Sequence, residues 1–248
     1  MLTIDIGNSS IKWALWRQHE MVASGRCSYV KAQVQQAFAC WHSQSPQKQV
    51  IVACVGGADV EHAVTAWMRQ HWSVAPIFLR STEKLGDVIN AYTDPSQFGV
   101  DRWAALLGAR ALTDQPVCII DAGTAITVDL MDARGRHLGG LIMPGLEMMR
   151  AALVQRAAGI HQTDGKLSAF ANNTADAVSS GTLLMVRAAI VDICASAAEH
   201  LGNDMTIIIT GGLSKTILSL PGLPKMWHQP DLVLQGLHWA ARIQAAEG

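Results

Sequence analysis

Two stretches of the chain carry the same pattern of apolar and polar positions. Residues 3–12, T-I-D-I-G-N-S-S-I-K, run through β-branched positions to Asp5, break at Gly7 and return to β-branched positions. Residues 119–128, I-I-D-A-G-T-A-I-T-V, do the same around Asp121 and Gly123. Each predicts a strand, a tight glycine turn and a return strand, that is, a hairpin. A second pair follows the first. Residues 50–57, V-I-V-A-C-V-G-G, and residues 206–212, T-I-I-I-T-G-G, both read as buried strands ending in paired glycines. The order is the same in both halves. It predicts two similar α/β domains, 1–115 and 116–248, divided at the T-D-Q-P turn of residues 113–116. The period is far too long for a solenoid.

Helical periodicity fills the intervals. Residues 31–42 place Val34, Phe38 and Trp41 on one face, and residues 59–72 begin with Asp59 as an N-cap and carry Ala63, Val64, Trp67 and His71. Residues 101–112, 146–158, 174–201 and 232–246 also read as helices. Tryptophan and methionine on these faces are most simply core. The helix from Thr174 is apolar over much of its circumference, through Ala177, Val178, Leu183, Leu184, Val186, Ile190 and Ile193. Such a helix needs cover on more than one side. It is either the central core helix of the second half or part of a subunit interface, where Gly181 would let another backbone approach. Asn172, Asn173 and Thr174 place amide and hydroxyl donors at its N-terminus, where the macrodipole favours an anion such as a carboxylate.

Composition narrows the class. Half of the 248 residues are hydrophobic, enough for a sizeable core, and the formal net charge is −1. No lysine or arginine run points to nucleic acid or to a polybasic membrane surface. Five widely spaced cysteines without a C-x-x-C motif fit reduced, packed thiols, not a disulfide framework or a zinc site. Cys40 and His42 lack a second ligand pair. No basic segment followed by an apolar stretch opens the chain, and no apolar run approaches the roughly 18 residues of a spanning helix. A cytoplasmic metabolic protein is expected. The sequons at Asn8 and Asn172 fall inside the motifs above and are not read as glycosylation sites.

The chemistry-bearing residues gather in four places. At the first hairpin, a glycine turn lets backbone N–H groups approach phosphate oxygens, Asn8, Ser9 and Ser10 add short donors, and Lys12 adds positive charge. Asp5, at the strand end, can hold Mg²⁺ directly or through water. Taken alone, the segment is equally an ordinary hairpin. Asp121, Gly123, Thr124, Thr127 and Asp129 form the second copy, and two such loops could clamp a triphosphate from both sides. Thr210, Gly211 and Gly212 allow close approach to an adenine or ribose, or simply make a strand-to-helix turn. The following G-G-L-S-K-T is not a Walker A loop, because Ser214 stands where a glycine is required before Lys215. No G-x-G-x-x-G and no G-x-S-x-G occurs. Lastly, Tyr92 to Trp103, Y-T-D-P-S-Q-F-G-V-D-R-W, leads a Pro/Gly loop into an adjacent Asp101-Arg102 at a helix start. Asp101 there is either a first-turn helix residue or a carboxylate that takes the proton of an attacking hydroxyl, beside a guanidinium that grips an anionic group.

Together these segments resemble the type III pantothenate kinases, also described as the Bvg accessory factor family. The likeness covers nearly the whole chain: D-I-G-N-S-S-I-K at 5–12, Tyr92 with G-V-D-R at 99–102, and D-A-G-T-A-I-T-V-D at 121–129. It continues through G-G-L-I-M-P-G at 139–145, N-N-T at 172–174, T-G-G at 210–212 and P-D-L-V-L-Q-G-L at 230–237. The resemblance implies a duplicated ribonuclease H-like α/β fold, shared with acetate and sugar kinases, Hsp70 and actin. It implies ATP- and Mg²⁺-dependent phosphorylation of pantothenate to 4'-phosphopantothenate, the first step of coenzyme A synthesis. It implies Asp101 as general base. Asp5, Ile6, Gly7, Asn8, Ser9, Ser10, Ile11, Lys12 and Thr124 then bind ATP, and Tyr92, Gly99, Val100, Asp101, Arg102 and Thr174 line the pantothenate site. Asp121 is implied to bind a monovalent cation, K⁺ or NH₄⁺. The family is dimeric, with Thr174 reaching the neighbouring subunit's site. Ser9 stands where many members have threonine, and the hydroxyl is kept. Two alternatives are a kinase of another hydroxy-metabolite or sugar, which would need a different acceptor loop, and a non-catalytic nucleotide-binding regulator, which would be expected to lack Asp101 or Asp5.

Overall fold

A computed structural model describes residues 1–29, 34–41, 44–161 and 164–247. It divides into two compact units: residues 1–114, 134–138 and 231–248 form the first, and residues 115–133 and 139–230 the second. The chain thus leaves the first unit one residue from the expected boundary but does not split into two continuous halves. The C-terminal helix, assigned from sequence to the second half, belongs to the first unit, as does a short hairpin segment.

In the first unit, β1 (Leu2–Ile6), β2 (Ser10–Arg17), β3 (Glu20–Ser28), β4 (Val50–Cys54) and β5 (Ile77–Phe78) form a sheet of order β3-β2-β1-β4-β5. β1 pairs antiparallel with β2 and parallel with β4. Alternation along the strands puts Leu2, Ile4 and Ile6 with Ile11, Trp13, Val50 and Val52 on one face. There they pack with Phe38, Trp41 and the buried side of α2 (Ala58–Trp72). Gly57, not Asp59, caps α2; Asp59 lies in its first turn, where a carboxylate suits the helix dipole. Of the helix expected over 31–42, the described part is α1 (Val34–Ala37) and a 3₁₀ turn (Phe38–Trp41); residues 31–33 and 42 lie outside the described residues. His42 of the Cys40–His42 pair lies outside them for the same reason. β6 (Lys84–Leu85) and β7 (Val88–Ile89) make a small separate hairpin.

The other face of β1 and β4 is covered by α3 (Val100–Leu112) and the C-terminal α7 (Leu232–Glu247). These two helices cross almost backbone to backbone. A Cβ on Gly236 would collide with the Ala104 carbonyl, and one on Gly108 with the Leu232 carbonyl. Arg110 near the end of α3 bonds Asp87 in the β6–β7 turn through Nε at 2.7 Å, and Trp239 of α7 lies over Gly86 of the same turn.

The second unit repeats the plan. β8 (Val117–Ala122), β9 (Ala125–Met131), β10 (His137–Pro144), β11 (Thr206–Thr210) and β12 (Trp227–His228) form a sheet of order β10-β9-β8-β11-β12. β8 is antiparallel to β9 and parallel to β11, as β1 is to β2 and β4. Its core joins Cys118, Ile120, Ile126 and Ile209 to α4 (Leu146–Arg156), α5 (Thr174–Leu201) and α6 (Ser214–Leu218). With 28 residues, α5 meets the length and mean composition of a bilayer-crossing helix, as core helices also do, although Arg187 and Asp192 interrupt its apolar positions. Its inner face, including Leu183, Val186, Ile190 and Cys194, packs into this core. Cys27, Cys54, Cys118 and Cys194 are unbridged.

Because Gly236 meets backbone, no rotamer change can make room there. Gly236→Val is expected to destabilise by about 3 kcal/mol, lowering the melting temperature by roughly 6–12 °C. A variant melting within a degree of the parent would show that α7 is not held at this crossing.

Candidate active site

The first hairpin turn sits at the open end of β1. Its register places Ile6 opposite Ile11 and Asp5 opposite Lys12, with Gly7, Asn8 and Ser9 between the strands. Ile6 and Ile11 are fully buried in the core, so only their backbone is available to a ligand. Asp5 and Lys12 occupy the opposite face as direct cross-strand neighbours. Asp5 is 9% exposed. Gly7 N–H closes the turn on the Ser10 carbonyl at 3.0 Å, while Asn8 and Ser9 are exposed. Tyr29, just past β3, donates its hydroxyl to the Gly7 carbonyl at 2.6 Å and its N–H to the Ser9 carbonyl at 3.1 Å. Burial, then the nearby Cys54 and Asp5, push its phenol up, which keeps it a donor.

The loop before α3 builds a second cluster in the same unit. Asp94 caps the 3₁₀ turn Pro95–Gln97, accepting from Ser96 N–H at 3.0 Å, and the turn delivers Phe98 into the interior. Gly99 then caps α3, and Val100 is its first residue. The Asp101 carboxylate accepts the Arg102 N–H at 2.8 Å, satisfying one of the helix's unpaired terminal donors. It also lies over Gly99, where a Cβ would stand 2.7 Å from its oxygen. Arg102 is buried. Its guanidinium carbon is 4.7 Å from the Phe98 ring centre, and Nη1 donates to the Tyr92 hydroxyl at 3.2 Å. Tyr92, Arg102, Asp101 and Gly99 are thus linked by direct contacts in the first unit, with Val100 between them in the chain.

Two residues that sequence reasoning passed over complete this cluster. His137, buried, stacks on Tyr92 with ring centres 6.2 Å apart and tilts on Phe98 at 4.8 Å. Its Nδ1 faces the Ala91 N–H at 3.4 Å. Asn90 accepts the Tyr92 N–H at 3.0 Å and donates to the Thr82 carbonyl. A lone histidine in β10 gave no signal, because it reaches the loop only through the segment 134–138. That segment docks where Ile89 N–H meets the Gly135 carbonyl at 2.9 Å.

In the second unit, Asp121 stands opposite Thr127 and beside Thr210 of β11. The turn here holds two residues, Gly123 and Thr124, one fewer than in the first hairpin. Gly211 has φ +90°, and a Cβ on it would strike the Asp121 carboxylate and the Ala122 carbonyl. Leu213 N–H also bonds that carbonyl at 2.9 Å, so the T-G-G turn rests directly on the Asp121 strand end. Ser214 fastens the turn further, contacting the Gly211 carbonyl at 2.7 Å and His228 Nε2 at 2.9 Å. Thr174 is separate. It is exposed on the first turn of α5, whose cap is Asn173, accepting the Asp176 N–H at 2.9 Å. The Asn173 side chain and the Lys166 N–H hold the Asp176 carboxyl below its ordinary value. Among the described residues no three histidine, cysteine or acidic side chains cluster as a metal site.

A family model described as type III pantothenate kinase matches residues 1–196. The type III pantothenate kinase of Nitrosococcus oceani is 36% identical, over 98% of this chain and 94% of its own. Among solved structures, a conserved Baf family protein of Campylobacter jejuni is 19% identical with a TM-score of 0.62, over 99% of this chain and 100% of its own. A Sinorhizobium meliloti protein assigned as a 2-dehydro-3-deoxygalactonokinase is 16% identical with a TM-score of 0.60, over 97% and 98%. Those two likenesses give the fold, the ribonuclease H-like plan of the sugar kinases.

Gly211 tests how firmly the second turn is built. Gly211→Ala places a side chain at positive φ and against two fixed oxygens, and is expected to cost about 1–3 kcal/mol. Urea unfolding followed by circular dichroism should show an earlier transition; an unchanged midpoint would mean that the turn can move off Asp121.

Proposed function

The chain belongs to the type III pantothenate kinase family, which phosphorylates pantothenate in the first step of coenzyme A biosynthesis, and from that premise we propose roles for the residues described above. ATP enters with Mg²⁺. Its phosphates are taken by backbone N–H groups of the Gly7–Ser9 turn and by the Asn8, Ser9, Ser10 and Lys12 side chains. Ile6 and Ile11 serve through their backbone. Asp5 holds Mg²⁺ directly or through water, which suits an ion that keeps most of its waters. Thr124 adds a donor from the second turn. Asp121 holds K⁺ or NH₄⁺; a carboxylate packed against the backbone of Gly123 and Gly211 offers the oxygen ligands that a hard cation takes.

The observation that carries the reading is the Asp101–Arg102 pair at the N-terminus of α3. Pantothenate is both a carboxylate and a primary alcohol, and the pair matches both ends. Arg102, braced by Phe98 and Tyr92, presents guanidinium donors to the carboxylate. Asp101 takes the hydroxyl proton as the oxygen attacks the γ-phosphorus, the bond from that phosphorus to the β–γ bridging oxygen breaks, and ADP leaves. Gly99, Val100 and Tyr92 shape the space between. Positioning and charge neutralisation supply most of the rate, because phosphoryl transfer asks little covalent help of the protein. The unbridged cysteines agree with a cytoplasmic enzyme.

We further propose a homodimer in which Thr174 reaches the acceptor site of the partner subunit. Thr174 sits at a helix N-terminus, suited to a carboxylate. Beside it lies a groove of about 740 Å³ that includes Gly181 and Met185. Leu184, Met185 and Val191 on the outer side of α5 are exposed, and a Cβ on Gly181 would meet open space.

Two experiments test these roles. In a coupled ADP-release assay with pantothenate and a panel of sugars, Asp101→Asn should lose about 10²–10⁴-fold in kcat while still binding ATP. The parent should need potassium or ammonium besides Mg²⁺. A folded Asp101→Asn with near-parent kcat removes Asp101 as the base, and full activity in a sodium-only buffer removes the cation from Asp121. For the dimer, inactive Asp101→Asn and Thr174→Trp chains are mixed under subunit exchange. One site of the heterodimer then carries both defects and the other neither, so activity should return; proven exchange without recovery, or an active monomer by sedimentation, refutes the shared site.

A further inference from the structure

The two hairpin turns are held from behind by the same device. The residue immediately after the third strand of each sheet donates its N–H to the carbonyl of the last turn residue. In the first unit Tyr29, following β3, bonds the Ser9 carbonyl at 3.1 Å; in the second Gly145, following β10, bonds the Thr124 carbonyl at 3.1 Å. From there the copies diverge. Gly145 packs so closely that a Cβ would collide with the Thr124 carbonyl, and that two-residue turn is fixed by contact as well as by its bond. The first turn is one residue longer and has no such backing. Its extra constraint is a side chain, the Tyr29 hydroxyl, on the Gly7 carbonyl at 2.6 Å.

That second bond determines where the turn's donors point. A trans peptide is planar, so its carbonyl and N–H face opposite ways. The Gly7 carbonyl shares its peptide with the Asn8 N–H, and the Ser9 carbonyl with the Ser10 N–H. Fixing both oxygens on Tyr29 turns those two N–H groups to the opposite side, the arrangement by which successive backbone donors form an anion-binding concavity. We infer that Tyr29 is a positioning residue of the nucleotide site: it does not touch ATP but holds the Gly7–Ser9 turn in the shape that offers its N–H groups to phosphate. This rests on the reading of that turn as the ATP site. The phenol packs at the margin of the first core cluster, beside Cys54 and Asp5, and remains protonated. The ring alone would satisfy the packing; the hydroxyl is what the turn requires.

Tyr29→Phe separates the two. In the full chain, one lost hydrogen bond should weaken binding of ADP or a non-hydrolysable ATP analogue about fivefold by calorimetry. KM for ATP should rise in parallel, with KM for pantothenate and the melting temperature nearly unchanged. Amide hydrogen exchange should quicken in the peptide covering residues 6–11. Lys12→Ala is run alongside as the probe of the underlying reading. If Lys12→Ala weakens nucleotide binding and Tyr29→Phe does not, the positioning role is wrong while the site stands. If neither changes nucleotide affinity, the turn is not the ATP site and both claims fall. If Tyr29→Phe lowers stability and raises both KM values together, the residue is merely structural and the inference is overturned.

Discussion

The close crossing of α3 and α7 governs the first unit. Two glycines, Gly108 and Gly236, let these helices approach until backbone meets backbone, and the pair then covers the face of β1 and β4 that α2 leaves open. This is why the C-terminal helix is claimed by the first unit although its sequence follows the second. The consequence for chemistry lies at the other end of α3. With the helix fixed at Gly108 and tied by Arg110 to Asp87, its N-terminus has one position, and Asp101 and Arg102 are presented from it. Rigid elements hold functional groups more accurately than loops do. Here the loop before the helix is braced as well, through the Phe98–His137–Tyr92 stack.

Duplication supplies two hairpin turns, and small differences suit them to different charges. Asp5 faces Lys12 across the first hairpin; Asp121 faces Thr127 across the second. A carboxylate with a cross-strand lysine is a mixed site, able to accept a metal on one side and phosphate on the other. A carboxylate with a cross-strand threonine has oxygen donors and no adjacent cation on the paired strand, which suits a bound cation. The division proposed above between Mg·ATP and a monovalent ion comes from the family resemblance, and that cross-strand exchange agrees with it.

What the sequence made legible was whatever repeats or alternates. Both hairpins, the paired-glycine strands, and the helices over 59–72, 101–112, 146–158, 174–201 and 232–246 follow from local periodicity, and the sheets realise them with one shared strand order. The Gly99–Arg102 motif was visible because four contiguous residues carry it. Residues that act from a distance were not visible. His137 is one histidine in a β-strand, and nothing in its neighbourhood says that the segment 134–138 docks against β7. Tyr29 follows a strand without special composition, and its role exists only because β3 runs beside β2. The return of α7 depends on a helix–helix crossing, and a glycine inside a helical pattern indicates close approach without naming the partner.

The composition of α5 admits a membrane span, a core helix or a shared interface, and its surroundings separate these. Arg187, midway along it, bonds the Pro221 carbonyl, and Gly222 packs against the same guanidinium. Asp192 lies little more than one turn further on. Charges at the middle of a span are costly in lipid and ordinary in a soluble fold. One side of the helix is already spent on the second core. The exposed side carries Leu184, Met185 and Val191, apolar residues that water does not favour and that neither core claims. A second copy of the chain is a partner that could use this side and the α5 N-terminus at once, because a two-fold axis applies one patch to itself and brings both copies of every nearby residue into play. In the homodimer proposed above, such an axis would let the exposed Thr174 of one copy reach the acceptor cluster of the other.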